Sequence, residues 1–204
     1  MRHTLLTIFI ILFGAQVFFF APAFADVTAL LLAVADGSED SANWTNTSNN
    51  PCISENCALE VDDTSGTICT ASDGDGTYIR SSTNGAAQTF DIDESGIPDG
   101  STITDLNVTV CYRRQGGGAP TFETRICTDG ACSSSGASLT GTGSYQESTQ
   151  SHAVNLVKNS ATDIEIGAIR TSGNTIRVSK ISTIITYTPP LPPPHERFGR
   201  YPHD

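Results

Sequence analysis

The segment Ser101–Arg114, STITDLNVTVCYRR, runs through a Gly-Gly-Gly turn into Phe122–Cys127 and limits the fold more than any other part of the chain. Leu106, Val108, Val110 and Tyr112 share one phase of a two-residue period, and Asn107, Thr109, Cys111 and Arg113 share the other. Successive side chains of a strand point to opposite faces, so this pattern describes a strand with one face in a core and one in water. Phe122, Thr124 and Ile126 alternate in the same way against Glu123, Arg125 and Cys127. Two such arms make an antiparallel hairpin, whose apolar side needs a second layer to cover it.

The remaining segments supply that layer. His152, Val154 and Leu156 alternate, as do Ile164, Ile166 and Ala168, and Ser172-Gly173-Asn174 marks a turn. Thr175–Tyr187 carries Ile176 and Val178 on one phase but Ile181, Ile185 and Tyr187 on the other, which predicts a one-residue bulge near Ser179-Lys180. Asp26–Ala35 reads as a first strand closed by Asp36-Gly37, and Ala58–Asp62 as a short extended piece. Within Glu60–Asp93, two strands should place Tyr78, Ile79, Phe90 and Ile92 in the core, and Trp44 should bury against it. No window of helical length after the first 25 residues shows an amphipathic helical repeat. The expected fold is an all-β, antiparallel, jelly-roll-like β-sandwich over residues 26–188.

Both ends differ in kind. Arg2 and His3 precede the apolar run Leu5–Phe20, and the segment closes on Ala23-Phe24-Ala25, the layout of a secretory signal peptide over residues 1–25. Gly14, Gln16 and Pro22 interrupt the run, which argues against a permanent anchor. Residues 189–204 are proline-rich and read as an extended, disordered tail, with docking through Phe198 and Tyr201 as the sharper alternative. The expected location is outside the cell or on its surface, with no membrane insertion of the mature chain. Cys52, Cys57, Cys69, Cys111, Cys127 and Cys132 form an even set, as disulfides in an exported protein would. Spacing suggests local loops Cys52–Cys57 and Cys127–Cys132, leaving Cys69 to reach Cys111. Zinc is disfavoured, because no histidine lies near either close pair.

Charge and residue types exclude several functions. The chain holds 11 Lys and Arg against 22 Asp and Glu, a formal net charge of −11. A surface of that sign repels nucleic acid and anionic lipid. Residues 26–188 contain one histidine, His152, without a nucleophile turn beside it, so a Ser-His-Asp or Cys-His site is not expected. Paired carboxylates for glycoside hydrolysis are available, but aromatic residues to line a cleft are few. Ca²⁺ is the one candidate ion. Asp73-Gly74-Asp75-Gly76 sets two carboxylates on a flexible turn, and Asp91, Asp93 and Glu94 make a second acidic turn. Neither completes a known calcium loop, and solvated turn carboxylates that discourage edge pairing are the plainer reading. Asn43, Asn46 and Asn107 each begin an N-x-Ser/Thr sequon.

The succession Val27-Thr28, Asp36-Gly37, Trp44, Val61-Asp62-Asp63, Asp75-Gly76-Thr77-Tyr78-Ile79, Phe90, Ile97-Pro98, Thr102-Ile103 and Val108 continues into Asp163–Gly167 and Ile176-Arg177-Val178. In that order it resembles the single-domain jelly-roll-like β-sandwich modules of bacterial secreted proteins and phage structural proteins. The resemblance implies a surface, appendage or binding module and transfers no catalytic residue. The cysteines and the signal peptide depart from the phage pattern and favour an exported product. The leading expectation is therefore a non-catalytic module for assembly or adhesion, partnered by its own copies or by a cell-surface glycan. The alternatives are a carbohydrate-binding module, with Ca²⁺ assisting, and, with least support, a hydrolase of surface polysaccharide.

Overall fold

The computed structural model describes residues 25–28, 30–54, 57–61, 69 and 77–191. The expected signal peptide apart from Ala25, the Asp73–Asp75 turn and most of the proline-rich tail lie outside these residues. The described chain forms twelve strands and two short 3-10 turns. No described helix is long and apolar enough to cross a membrane.

Two antiparallel sheets make a sandwich. The first is built on β6 (Thr102–Gln115) and β12 (Thr175–Thr188), which pair along almost their whole length, with β10 (Gln146–Val157) on the far side of β6. The other edge of β12 is shared by short strands: β4 (Ile79–Ser81) at its start, β2 (Leu31–Asp36) in the middle and β1 (Asp26–Val27) at its end. β3 (Trp44–Thr45) pairs with β4. The second sheet runs β2, β5 (Ala87–Ile92), β11 (Ile164–Ser172), β7 (Thr121–Thr128), with β8 (Ala131–Ser134) and β9 (Leu139–Thr140) along the outer edge of β7.

β2 belongs to both sheets. Leu31 and Leu32 pair with Thr183 and Ser182 of β12, whereas Ala33, Ala35 and Asp36 pair with β5 across a register shift. Asp26–Ala35 is not one strand: β1 and the start of β2 pair separately with β12, and β2 then runs on to Asp36 in the second sheet. Of the expected extended piece Ala58–Asp62, the described residues are likewise not a strand. Cys57–Glu60 is a 3-10 turn whose first amides donate to Asp36, Cys57 at 3.0 Å and Ala58 at 3.1 Å, so a carboxylate caps the turn.

The hairpin expected of β6 and β7 does not form: β6 pairs with β10 and β12 in the first sheet and β7 with β11, β8 and β9 in the second, so the Gly-Gly-Gly turn carries the chain from one layer to the other. The inner faces are nevertheless those the alternation marked. Leu106, Val108, Val110 and Tyr112 of β6 and Ile176, Val178, Ile181 and Ile185 of β12 are buried, facing Phe90, Phe122, Ile126, Ile164, Ile166 and Ala168. The phase change in β12 is a bulge: Val178 pairs with Tyr112 and Lys180 with Cys111, leaving Ser179 as the extra residue. Tyr112 and Phe122 meet edge to face across the two layers, with ring centroids 4.7 Å apart. Ile79, Phe90, Ile92 and Trp44 join the core, but Tyr78 does not; its ring lies beneath the Arg177 guanidinium on the outer face. Gly167 permits the close β5–β11 contact, since a Cβ there would sit 2.1 Å from the Gln88 carbonyl oxygen. Disulfides join Cys52 to Cys57, Cys69 to Cys111 and Cys127 to Cys132.

Candidate functional site

Three polar constellations stand apart from ordinary surface. The first is acidic and lies on the outer face of the second sheet. Glu165 sits directly opposite Asp91 in the β11–β5 ladder, and Asp163 immediately precedes β11, two residues from Glu165. The three carboxylates come within 4.8 Å of one another. Asp91 is the sequence-marked member; Asp163 and Glu165 were hidden as the polar phase of a strand. Asp93 takes no part. It is exposed, and hydrogen bonding from the Ser95 side chain, then from the Ser95 amide at 3.0 Å, holds its carboxyl below the usual carboxylate range.

Calcium needs six to eight oxygens. Here both Glu165 oxygens already accept hydrogen bonds: Oε1 from the Ser38 amide at 2.8 Å, and Oε2 from the hydroxyls of Ser38 and Thr89. Crowding also raises the affinity of the cluster for a proton. Burial, then repulsion from Asp163, Glu165, Glu94 and Asp36, pushes Asp91 up to about 6, and burial with Glu165 and Asp129 raises Asp163. Glu39, Cys127 and Cys132 also converge, but both sulfurs are in a disulfide and Glu39 is the bidentate partner of Arg125, so no ligand set remains there.

The Asp91 shift gives a pH prediction with a definite sign. The folded state binds its proton more tightly than the unfolded chain, whose Asp titrates near 3.8. The stabilising contribution is complete below that value and is lost as pH rises through about 6. Asp91 is only half-buried, so after discounting for screening the effect is about 1 kcal/mol. Asp91→Asn is expected to raise the melting temperature by about 2–4 °C at neutral pH and to have little effect near pH 4. Parallel thermal melts across that range check it, and a variant less stable than wild type at pH 7 would count against the repulsion.

The second constellation ties the sheets together. Gln150 and His152 of β10 reach across to β7: Thr124 donates its amide to Gln150 Oε1 at 3.1 Å, and its hydroxyl lies 2.7 Å from His152 Nε2. Ser135 also donates to Gln150 Oε1, and Gln150 Nε2 donates to the Ala137 carbonyl. Burial lowers the His152 pKa, with Asp105 opposing, so the ring acts here as a neutral structural partner.

The third is an open cleft of about 340 Å³ beside β3 and β4. Trp44 fixes one wall. Its ring is fully buried and its indole N–H donates to the Ala86 carbonyl at 3.1 Å, so its chain neighbours Asn43 and Thr45 line the cleft. The next loop is folded by Asn46, whose side-chain oxygen accepts the amides of Ser48 and Asn50 at 3.0 Å each. Asn49 follows in a left-handed conformation (φ 69°) and lines the cleft as well. Because Asn46 is buried and its side chain closes this loop, it is a poor glycan acceptor, whereas Asn43 is exposed.

The floor comes from the sheet, with Arg80, Ser81, Ser82, Gln115 and Thr175 completing the lining. Gln115 Oε1 accepts from Arg80 Nη1 at 3.3 Å and from Arg177 Nε at 2.9 Å. None of the eight lining residues is a carboxylate, so the cleft offers amides, hydroxyls and one guanidinium and holds no acid–base pair. Sequence reading marked Trp44 for burial and Asn43 and Asn46 as sequons; the other residues of the cleft were lost among turn residues and strand ends.

No protein-family model matches the sequence, and no curated protein matches it. Solved structures do. A family 11 carbohydrate-binding module from Clostridium thermocellum, in complex with a β-1,3-1,4-mixed-linked tetrasaccharide, is 11% identical with a TM-score of 0.33, covering 80% of this chain and 99% of that one. The carbohydrate-binding module TmCBM27, described for mannan recognition, is 8% identical with a TM-score of 0.30, covering 79% and 98%. The Podospora anserina GH26-CBM35 β-(1,4)-mannanase is 14% identical with a TM-score of 0.34, covering 85% of this chain but only 29% of the enzyme. The chain likewise spans 26% of the MgGH51 α-L-arabinofuranosidase that it matches. At such identities and scores these proteins leave the chemistry of the site to its own residues.

Proposed function

We propose that this protein is a non-catalytic β-sandwich module, secreted or held at the cell surface, that binds a glycan in the cleft between the Asn43–Asn49 loop and the outer face of the first sheet. The composition of that cleft carries the reading. Sugar hydroxyls both donate and accept, and Asn43, Asn49 and Gln115 with the neighbouring hydroxyls offer both functions on one polar surface. A cleft built for an apolar ligand would instead be lined mainly by hydrophobic side chains. Glycoside hydrolysis needs two facing carboxylates, and this lining has none. The three disulfides suit an oxidising compartment.

Titration calorimetry against a panel of plant and bacterial oligosaccharides tests it. At least one oligosaccharide should bind, and Gln115→Ala should weaken it by roughly tenfold, as loss of shared hydrogen bonds predicts. Silence across the panel would sink the binding half. New reducing ends after prolonged incubation would sink the non-catalytic half.

A further inference from the structure

The basic side chains are not spread over this acidic protein. Residues 26–188 contain eight Lys and Arg, and four of them, Arg80, Arg113, Arg177 and Lys180, sit on the outer face of the first sheet. The other four are committed elsewhere. Arg125 pairs with Glu39, Lys158 with Asp99, and Arg114 and Arg170 donate to loop carbonyls.

Three of the cluster form a row. Arg177 stands directly opposite Arg80 on β4 and directly opposite Arg113 on β6, so the guanidinium stems lie on adjacent strands. Neighbouring strands are about 4.8 Å apart, and like charges placed directly opposite cost stability. No carboxylate among the described residues forms an ion pair with any of the four. A repulsive arrangement with no carboxylate partner among the described residues points to a function.

The row is also held in place. The Arg177 guanidinium lies 4.1 Å from the Tyr78 ring centroid, and that of Arg113 lies 4.7 Å from the Tyr145 ring centroid. Gln115 bridges Arg80 and Arg177, and Arg113 Nε is buried without a hydrogen-bond partner among the described residues. Long side chains fixed before binding lose less entropy when a ligand arrives. Arg80 is also part of the cleft, so row and cleft are one continuous surface.

We infer that the ligand of this surface is an acidic polysaccharide, a uronate-bearing glycan whose carboxylates lie along the Arg80–Arg177–Arg113 row while its hydroxyls enter the cleft. This rests on the glycan-binding reading above and narrows it. The planar guanidinium fork matches a carboxylate in a bidentate manner. A chain with one charge per sugar suits four cations on a protein of net charge −11, which repels a densely charged polymer such as nucleic acid.

The test uses the full mature chain, a defined oligogalacturonate, its methyl ester as the same backbone without charge, and neutral gluco- and manno-oligosaccharides. The oligogalacturonate should bind at least roughly tenfold more tightly than its ester and should weaken as salt rises. Arg177→Gln and Arg113→Gln should each lose roughly tenfold in affinity and flatten the salt dependence, with melting temperatures confirming that both variants fold. Equal binding of acid and ester, or full affinity in both variants, overturns the uronate assignment and leaves glycan binding standing. If single-stranded nucleic acid or a sulfated chain binds more tightly than the oligogalacturonate, the carboxylate assignment also falls. Silence from every saccharide overturns both readings.

Discussion

Trp44→Ala is expected to lower the stability of the domain by about 3–5 kcal/mol, the range for removing a fully buried tryptophan from a core that only partly collapses. The ring has no exposed surface, and it is among the largest fully buried side chains. The change leaves the Ala86 carbonyl without its indole donor as well as opening a void. Urea unfolding, followed by circular dichroism so that loss of the tryptophan does not remove the probe, measures the effect. Because Asn43 and Thr45 flank Trp44 in the cleft wall, affinity for any bound oligosaccharide should fall together with stability. A loss below about 1 kcal/mol would mean that the ring merely covers the end of the sandwich.

Replacing Cys69 and Cys111 together with serine should have a comparable effect. Their bond spans a sequence separation of 42, and the chain-entropy model gives about 4 kcal/mol for a loop of this length. The two local bridges each span a separation of 5, for which the same model gives about 2 kcal/mol. Denaturant midpoints of three paired Cys→Ser variants should therefore rank the Cys69–Cys111 variant lowest. Cys111 lies two residues from Arg113 on the same face of β6, so the long-range bridge also borders the basic row. If all three pairs cost the same, loop length is not what sets their contribution.

The fold was legible because a strand writes its burial directly into a two-residue period. The alternation of Leu106 to Tyr112, its repeat in β7 and the slipped phase of β12 each state which side chains face inward. The bulge at Ser179 could be placed from a shift in apolar spacing alone, since one inserted residue inverts every side chain after it. Short segments were less legible. Cys57–Glu60 has no period to display, and its 3-10 form depends on a cap from Asp36, a residue remote in sequence. The phase that places Ile79 inward cannot place Tyr78 in the core; the ring instead supports Arg177, a partner about a hundred residues away.

The candidate sites show the same division more sharply. Asp91 could be singled out as part of an acidic turn, but its neighbours could not, because Asp163 and Glu165 meet it only through the pairing of β11 with β5. The arginines at 80, 113 and 177 are scattered singly along the chain, and each alone reads as a solvated strand residue.

By itself, the sequence determined the all-β architecture, the inward faces of the long strands and the scarcity of basic charge, because period and composition are local properties. The tertiary structure alone decided which strands are neighbours. That choice crowded three carboxylates on one sheet and aligned three arginines on the other, since lateral pairing joins residues that no local pattern relates.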